Sequence, residues 1–139
     1  MKKSILPAFL LMMVLALTEQ RLFAQDDEKV YTFVAMENPP SFPGGITKFY
    51  EFLGKNIKYP KQAMENNVQG TVKVFFIVEK DGSITNIEVP EKIGSGLDEE
   101  AMRVMRLSPK WVMGIQSGKP VRVKYNIPIK FSLSRRPKN

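Results

Sequence analysis

The chain has 139 residues, and none of them is cysteine or histidine. Without cysteine there is no disulfide, no thiol nucleophile and no lipid-bearing thiol, so stability must come from packing. Without histidine the commonest general base, the commonest metal ligand and every His-based triad are missing, which removes most enzyme classes. Acidic residues are outnumbered, 14 against 21 Lys and Arg, giving a formal net charge of +7. Such a balance suits an acidic peptide, anionic lipid or nucleic acid. Long apolar runs are scarce as well. The one run of note, Ile5 to Leu17, would rise ~20 Å as a helix against a hydrocarbon core of ~30 Å, and Glu19 and Arg21 block its extension.

That run follows Met1-Lys2-Lys3 and leads to Leu22-Phe23-Ala24, the three-part layout of a secretory signal. The expectation is a signal peptide over residues 1–24 cut between Ala24 and Gln25, with an uncleaved anchor as the competing reading. Cleavage would take away Lys2, Lys3, Arg21 and Glu19 and leave +5. Export argues against nucleic acid as a partner. The remaining length suits one small domain. Residues 25–43 carry Asp26, Asp27 and Glu28, a brief apolar stretch from Val30 to Met36, then Pro39, Pro40 and Pro43, and read as an extended lead-in. Residues 44–133 read as the domain and residues 134–139 as a basic tail.

Within the domain the apolar spacing assigns the elements. Ile46, Phe49, Tyr50, Leu53 and Ile57 fall on one stripe of a helix that begins after Gly44-Gly45 and ends at Tyr59-Pro60. Pro60 suits the start of a second, short helix through Asn66. Val72, Val74, Phe76 and Val78 alternate with Thr71, Lys73, Phe75 and Ile77, and Asp81-Gly82 supplies a hairpin turn before Ile84 to Val89. Phe75 and Ile77 imply cover on both faces of that strand. Ser95 and Asp98 have the spacing of a capping box, with Asp98, Glu99 and Glu100 as solvated charges at a helix start, and Leu97, Ala101, Val104 and Leu107 as its buried stripe. In the last strand Val121, Val123, Tyr125, Ile127, Ile129, Phe131 and Leu133 alternate with Arg122, Lys124, Asn126, Pro128, Lys130 and Ser132. The fold class expected is α+β, a small antiparallel sheet of about three strands with two or three helices packed on one face.

Few residues point to chemistry. Trp111, the only tryptophan, reads as a core plug behind Pro109, and Met102, Met105 and Met113 read as core filling, so no metal and no cofactor is assigned. Adjacent carboxylates at 98–100 do not converge on one substrate, so no catalytic pair is expected either. Pro128 cannot donate to a ladder, which favours a sheet edge for the last strand. Two readings of that edge stand side by side. Either it accepts a partner strand, or Arg122, Lys124 and Lys130 merely protect it from aggregation.

Taken in order, Pro43-Gly44-Gly45, Tyr59-Pro60, Gln69-Gly70-Thr71-Val72, Asp81-Gly82, Gly96-Leu97-Asp98-Glu99-Glu100-Ala101, Pro109-Lys110-Trp111 and Gly118-Lys119-Pro120-Val121 form a series of short signals over roughly Ser41 to Leu133. The series resembles the C-terminal domain of TonB-type energy transducers, in particular those preceded by Phe-Pro-Gly-Gly. The resemblance implies a periplasmic domain whose last strand pairs with the TonB box peptide of a TonB-dependent outer-membrane receptor. Here that contact would be centred on Val121, Arg122, Val123, Lys124, Tyr125 and Asn126, with Val123→Pro as the change expected to abolish it while leaving the fold. It also implies that the segment headed by Tyr59 and Pro60, with Gln62 and Met64 projecting, lies near the receptor, although Tyr59 as packing and Pro60 as a cap explain those residues without a partner. An energy transducer of this kind also has a spanning anchor and a long linker, neither evident in this sequence. An inner-membrane energising complex is therefore a partner only if the chain is anchored. A homodimer that occupies its own edge is the alternative to receptor binding.

Overall fold

The computed structural model describes residues 29–133. The expected signal peptide with its cleavage point at Ala24 and Gln25, and the basic tail, lie outside the described residues. The elements in chain order are β1 (Val30–Thr32), a single 3-10 turn (Phe33–Ala35), α1 (Ile46–Asn56), α2 (Lys61–Glu65), β2 (Gly70–Val78), β3 (Ile84–Glu88), α3 (Leu97–Arg106), β4 (Gly114–Gln116) and β5 (Lys119–Phe131). The sheet order is β1-β5-β2-β3, with β4 pairing β5 at its start. The fold is α+β as expected, but with five strands. The two additional strands are the short β4, which forms a hairpin with Lys119 to Val121, and β1, which runs parallel to β5.

Alternation sets the sheet. β2 and β5 pair antiparallel from Gly70↔Phe131 to Val78↔Val123 without interruption. Val72, Val74, Phe76 and Val78 therefore share a face with Ile129, Ile127, Tyr125 and Val123, and this face carries Phe49, Leu53, Ala63, Leu97, Ala101, Val104 and Met105 from the helices. Trp111 fills the centre as the sequence suggests. Its ring lies 5.1 Å from Phe76, 5.5 Å from Tyr125 and 5.7 Å from Phe42, and its Nε1 donates to Ser108 Oγ. The hairpin tip docks under it: Trp111 donates its amide to the Gly82 carbonyl, and a Cβ on Gly82 would stand 2.2 Å from the Trp111 carbonyl oxygen. Only glycine fits there, and φ of 86° favours it as well.

Among the described residues the helices that pack on the sheet lie on this one face. Phe75 and Ile77 are half-buried on the opposite face, where the Lys73 and Lys124 ammonium groups lie 5.4 and 5.7 Å from the Phe75 ring centroid.

Three details of the helices differ from the pattern. On α1 Phe49 and Leu53 are buried, but Ile46 and Tyr50 are exposed, so the covered stripe is narrower than the apolar one. α3 stops at Arg106, so Leu107 caps it and is exposed, while Met105 takes the core position. The Ser95 capping box does not form. Gly96 is the N-cap, and Asp98, 1 % exposed, reaches back to accept the amides of Ile93 at 3.0 Å and Gly94 at 2.7 Å. Its charge therefore holds the preceding loop rather than facing solvent. Glu100 is also engaged. It accepts from the Lys58 amide and from Arg103, which donates to the Asn56 carbonyl as well, and the Arg103 guanidinium holds the Glu100 carboxyl below its ordinary value. These contacts tie α3 to the end of α1.

Candidate functional site

The last strand is the longest in the fold, 13 residues, and its two sides differ. Leu133 donates its amide to Gln69 Oε1, on the β2 side. Strand alternation then turns the amides of the odd-numbered residues toward β2 and those of Arg122, Lys124, Asn126 and Lys130 toward the other edge. Pro128, which has no amide to lose, stands at one of these outward positions, opposite Lys73. The proline in the strand thus marks its outer side, as the sequence suggests.

That outer side is not fully open. β1 pairs with it in parallel register, Val30↔Arg122, Tyr31↔Val123 and Thr32↔Lys124. Phe33 follows and lays its ring 4.6 Å from that of Tyr125. From Tyr125 to Phe131 no further strand pairs with this edge among the described residues. Beside the open part, α1 and the segment before it form an apolar recess of about 130 Å³, lined by Phe42, Ile46, Phe49, Trp111, Tyr125 and Ile127. The sequence holds these residues in plain view, but their convergence depends on the lead-in crossing next to β4, through the Asn38↔Ile115 and Ser41↔Val112 bridges.

The residues named for partner binding from the sequence take different places along this edge. Val121 pairs with Gly114 of β4. Val123 is buried and pairs with Val78 and Tyr31 on its two sides. The Arg122 side chain is held by Glu79, Nε to Oε2 at 2.7 Å and Nη2 to Oε1 at 3.0 Å, and this pairing keeps the Glu79 carboxyl below its ordinary value. Lys124 is exposed over Phe75, Tyr125 is half-buried between Phe33 and Trp111, and Asn126 is the first outward-facing residue beyond β1. Tyr59, Pro60, Gln62 and Met64 lie elsewhere. Tyr59 stacks edge-on against Phe131 and donates to the Val68 carbonyl, Pro60 caps α2, and Gln62 and Met64 are exposed on that short helix. Five residue steps along the strand, ~17 Å, lead from Asn126 to Phe131, so the two groups flank opposite ends of the open edge rather than one spot. The residues that sequence reasoning left out are Tyr31 and Phe33. Their only signal is the short apolar stretch Val30 to Met36.

No group of three or more acidic residues that could hold a metal ion occurs among the described residues, and none of the helices there is long and apolar enough to cross a membrane. The arrangement offers backbone donors and acceptors, an apolar recess and lysines.

The family model described as the Gram-negative bacterial TonB protein C-terminal matches residues 55–133, more than half of the chain. The chain belongs to the TonB C-terminal family. Among solved structures it is similar to an NMR solution structure of the Helicobacter pylori TonB C-terminal domain, at 26 % identity and a TM-score of 0.48, over 65 % of this chain and 81 % of that one. A second Helicobacter pylori structure of this domain matches at 28 % identity and a TM-score of 0.47, over 65 % of this chain and 95 % of that one. The Pseudomonas aeruginosa TonB C-terminal domain matches at 27 % identity and 0.46, over 58 % and 81 %. Comparison with curated proteins returns no match. The family match spans α2, the β2–β3 hairpin, α3, β4 and β5; β1, Phe33 and most of α1 precede it.

Proposed function

We propose that this domain works in the periplasm as a non-catalytic binding module in TonB-dependent transport across the outer membrane, gripping an extended segment of a receptor by strand addition along the outer side of β5. Membership of the TonB C-terminal family supports the setting. The observation that carries the mode of binding is β1 itself: a three-residue segment with little burial of its own already pairs with Arg122 to Lys124, which supports reading this edge as one that takes an added strand. Backbone hydrogen bonds would supply affinity, and alternate side chains would supply register. Lys124 and Lys130, exposed beside the edge, favour an acidic partner and faster encounter.

Asn126→Pro tests this reading. The substitution removes one outward amide at a position of the same alternation class as Pro128, next to Tyr125, whose extended backbone a following proline tolerates. The probe is a synthetic peptide copying the periplasmic N-terminal segment of a TonB-dependent receptor from the same genome, titrated by calorimetry. The natural chain binds it and Asn126→Pro loses at least about tenfold in affinity, one lost backbone bond with its unpaired partner. Equal affinity for the two chains sinks strand addition at this edge.

A further inference from the structure

Part of the stretch of β5 that the sequence names for partner contact, Val121 to Asn126, is occupied by the protein's own chain. β1 lies on Arg122 to Lys124, and Phe33 sits on Tyr125 next to the apolar recess. Together they do what a bound segment would do: pair in extended form, then set an aromatic side chain beside the strand. Yet little holds this segment down. Val30 is 39 % exposed and Val34 75 %, Thr32 is exposed, and the 3-10 turn buries no residue. The one ring on β1, Tyr31, is half-buried and has the Lys29 ammonium 4.6 Å from its centroid. The next fixed point downstream is the Asn38↔Ile115 bridge, so only residues 33–37 separate the strand from its anchorage. A tether this short keeps the segment at an effective concentration in the millimolar range even when it detaches.

We propose that Val30–Phe33 is a built-in, displaceable occupant of the partner edge, which must leave Arg122 to Lys124 before an extended partner segment can lie along the whole of that edge and which thereby sets the apparent affinity. This rests on the strand-addition reading above. A partner longer than three residues wins because its pairing continues past Lys124 to the outward groups of Asn126, Pro128 and Lys130, which β1 does not reach. The apparent dissociation constant is the intrinsic one divided by the fraction of molecules with the edge free. If β1 is docked in nine molecules of ten, its removal raises affinity about tenfold.

Two measurements on the chain carrying residues 29–133 with all that adjoins them decide the matter. The first needs no ligand. By hydrogen exchange, the Lys124 amide, which faces β1, should exchange through local opening at least about tenfold faster than the Ile127 and Ile129 amides, which face β2. Exchange of Lys124 as slow as those two makes β1 a permanent strand and overturns the proposal. The second compares the natural chain with Tyr31→Pro, which undocks β1 by removing the amide opposite Val123. The probe is a synthetic peptide copying Lys29 to Ala35, added to isotope-labelled protein. Tyr31→Pro should bind it at least about tenfold more tightly than the natural chain does, with shifts at Arg122 to Lys124. Equal binding to both chains overturns the gate while leaving strand addition standing, whereas no binding to either chain overturns both.

Discussion

The two sides of β5 are built from the same backbone and held by different forces. On the β2 side all nine residues of β2 take part in the ladder, and of the residues facing the helices along it Val123, Ile127, Ile129 and Phe131 are between 0 and 4 % exposed while Tyr125 is half-buried. On the β1 side three residues pair, and the segment that provides them is largely in water. Strand hydrogen bonds are similar on both sides, and each exchanges against water for a small net gain. What separates a permanent seam from an exchangeable one is therefore the apolar area sealed with it, at roughly 25 cal/mol per Å². The fold has one core, and only one side of its last strand belongs to it.

The largest effect expected on this contrast comes from Val123→Pro. Val123 is fully buried, and its amide turns toward β2. Proline there breaks the central ladder and removes a packed valine, at a cost of about 3 kcal/mol or more, read by urea denaturation. Asn126→Pro, three residues along the same strand but of the other alternation class, should cost under about 1 kcal/mol. The sequence alone recommends Val123→Pro as a clean binding mutant; because Val123 is buried and its amide turns toward β2, Asn126→Pro is the substitution proposed for that test instead. Equal losses at the two positions would mean that the two sides of β5 are not distinct.

The difference between these residues shows which parts of the molecule are legible in the sequence. Period-two alternation over β2 and β5 marks the buried face without help from any other segment, because each strand is long enough to show its own pattern. Pro128 marks the outer side for a local reason, its missing amide. The occupant of that side is not legible, since Val30–Thr32 is too short for a pattern and its parallel pairing with β5 is set by contacts about 90 residues distant in the chain. Helix margins misread for a related reason. Ile46, Tyr50 and Leu107 have the spacing of core residues, but whether a stripe position is covered depends on how far the sheet extends beneath it. Asp98 is legible as a charge at a helix start, but its burial and its grip on the Ile93 and Gly94 amides follow from the loop before it.

A smaller effect is expected where the two sides meet. Arg122 pairs with Val30 through its backbone and with Glu79, just past the end of β2, through its side chain. The Arg122 hydrogen bonds come first in depressing the Glu79 carboxyl below its ordinary value of 4.5, with help from the Thr85 hydroxyl. A carboxyl depressed in the folded state stabilises that state in its charged form. Its contribution is thus complete above about 4.5 and is lost as pH falls through the lower folded value. Relative to Glu79→Gln the natural chain should be more stable by about 1 kcal/mol at pH 7, the two side chains being 25 and 22 % exposed, and the gap should narrow as the pH is taken from 5 to about 3. A gap independent of pH would show that the charge of Glu79 is not what holds Arg122.

The smallest change expected in global stability is that of Phe33→Ala. The ring is half-buried and its partner in the structure is Tyr125, 4.6 Å away, so its loss should cost under about 1 kcal/mol in urea, far below the 3–5 kcal/mol of a core phenylalanine. The same substitution should speed exchange of the Lys124 amide severalfold, because Phe33 lies immediately past the segment that pairs with it. A core residue would move both quantities together, since its amides open only with the whole domain. The separation of a small stability change from a large local one is the signature of a segment that rests on the fold without being part of its core. A loss above about 2 kcal/mol from Phe33→Ala would instead place β1 and its turn inside the cooperative unit and leave β5 with two permanent sides.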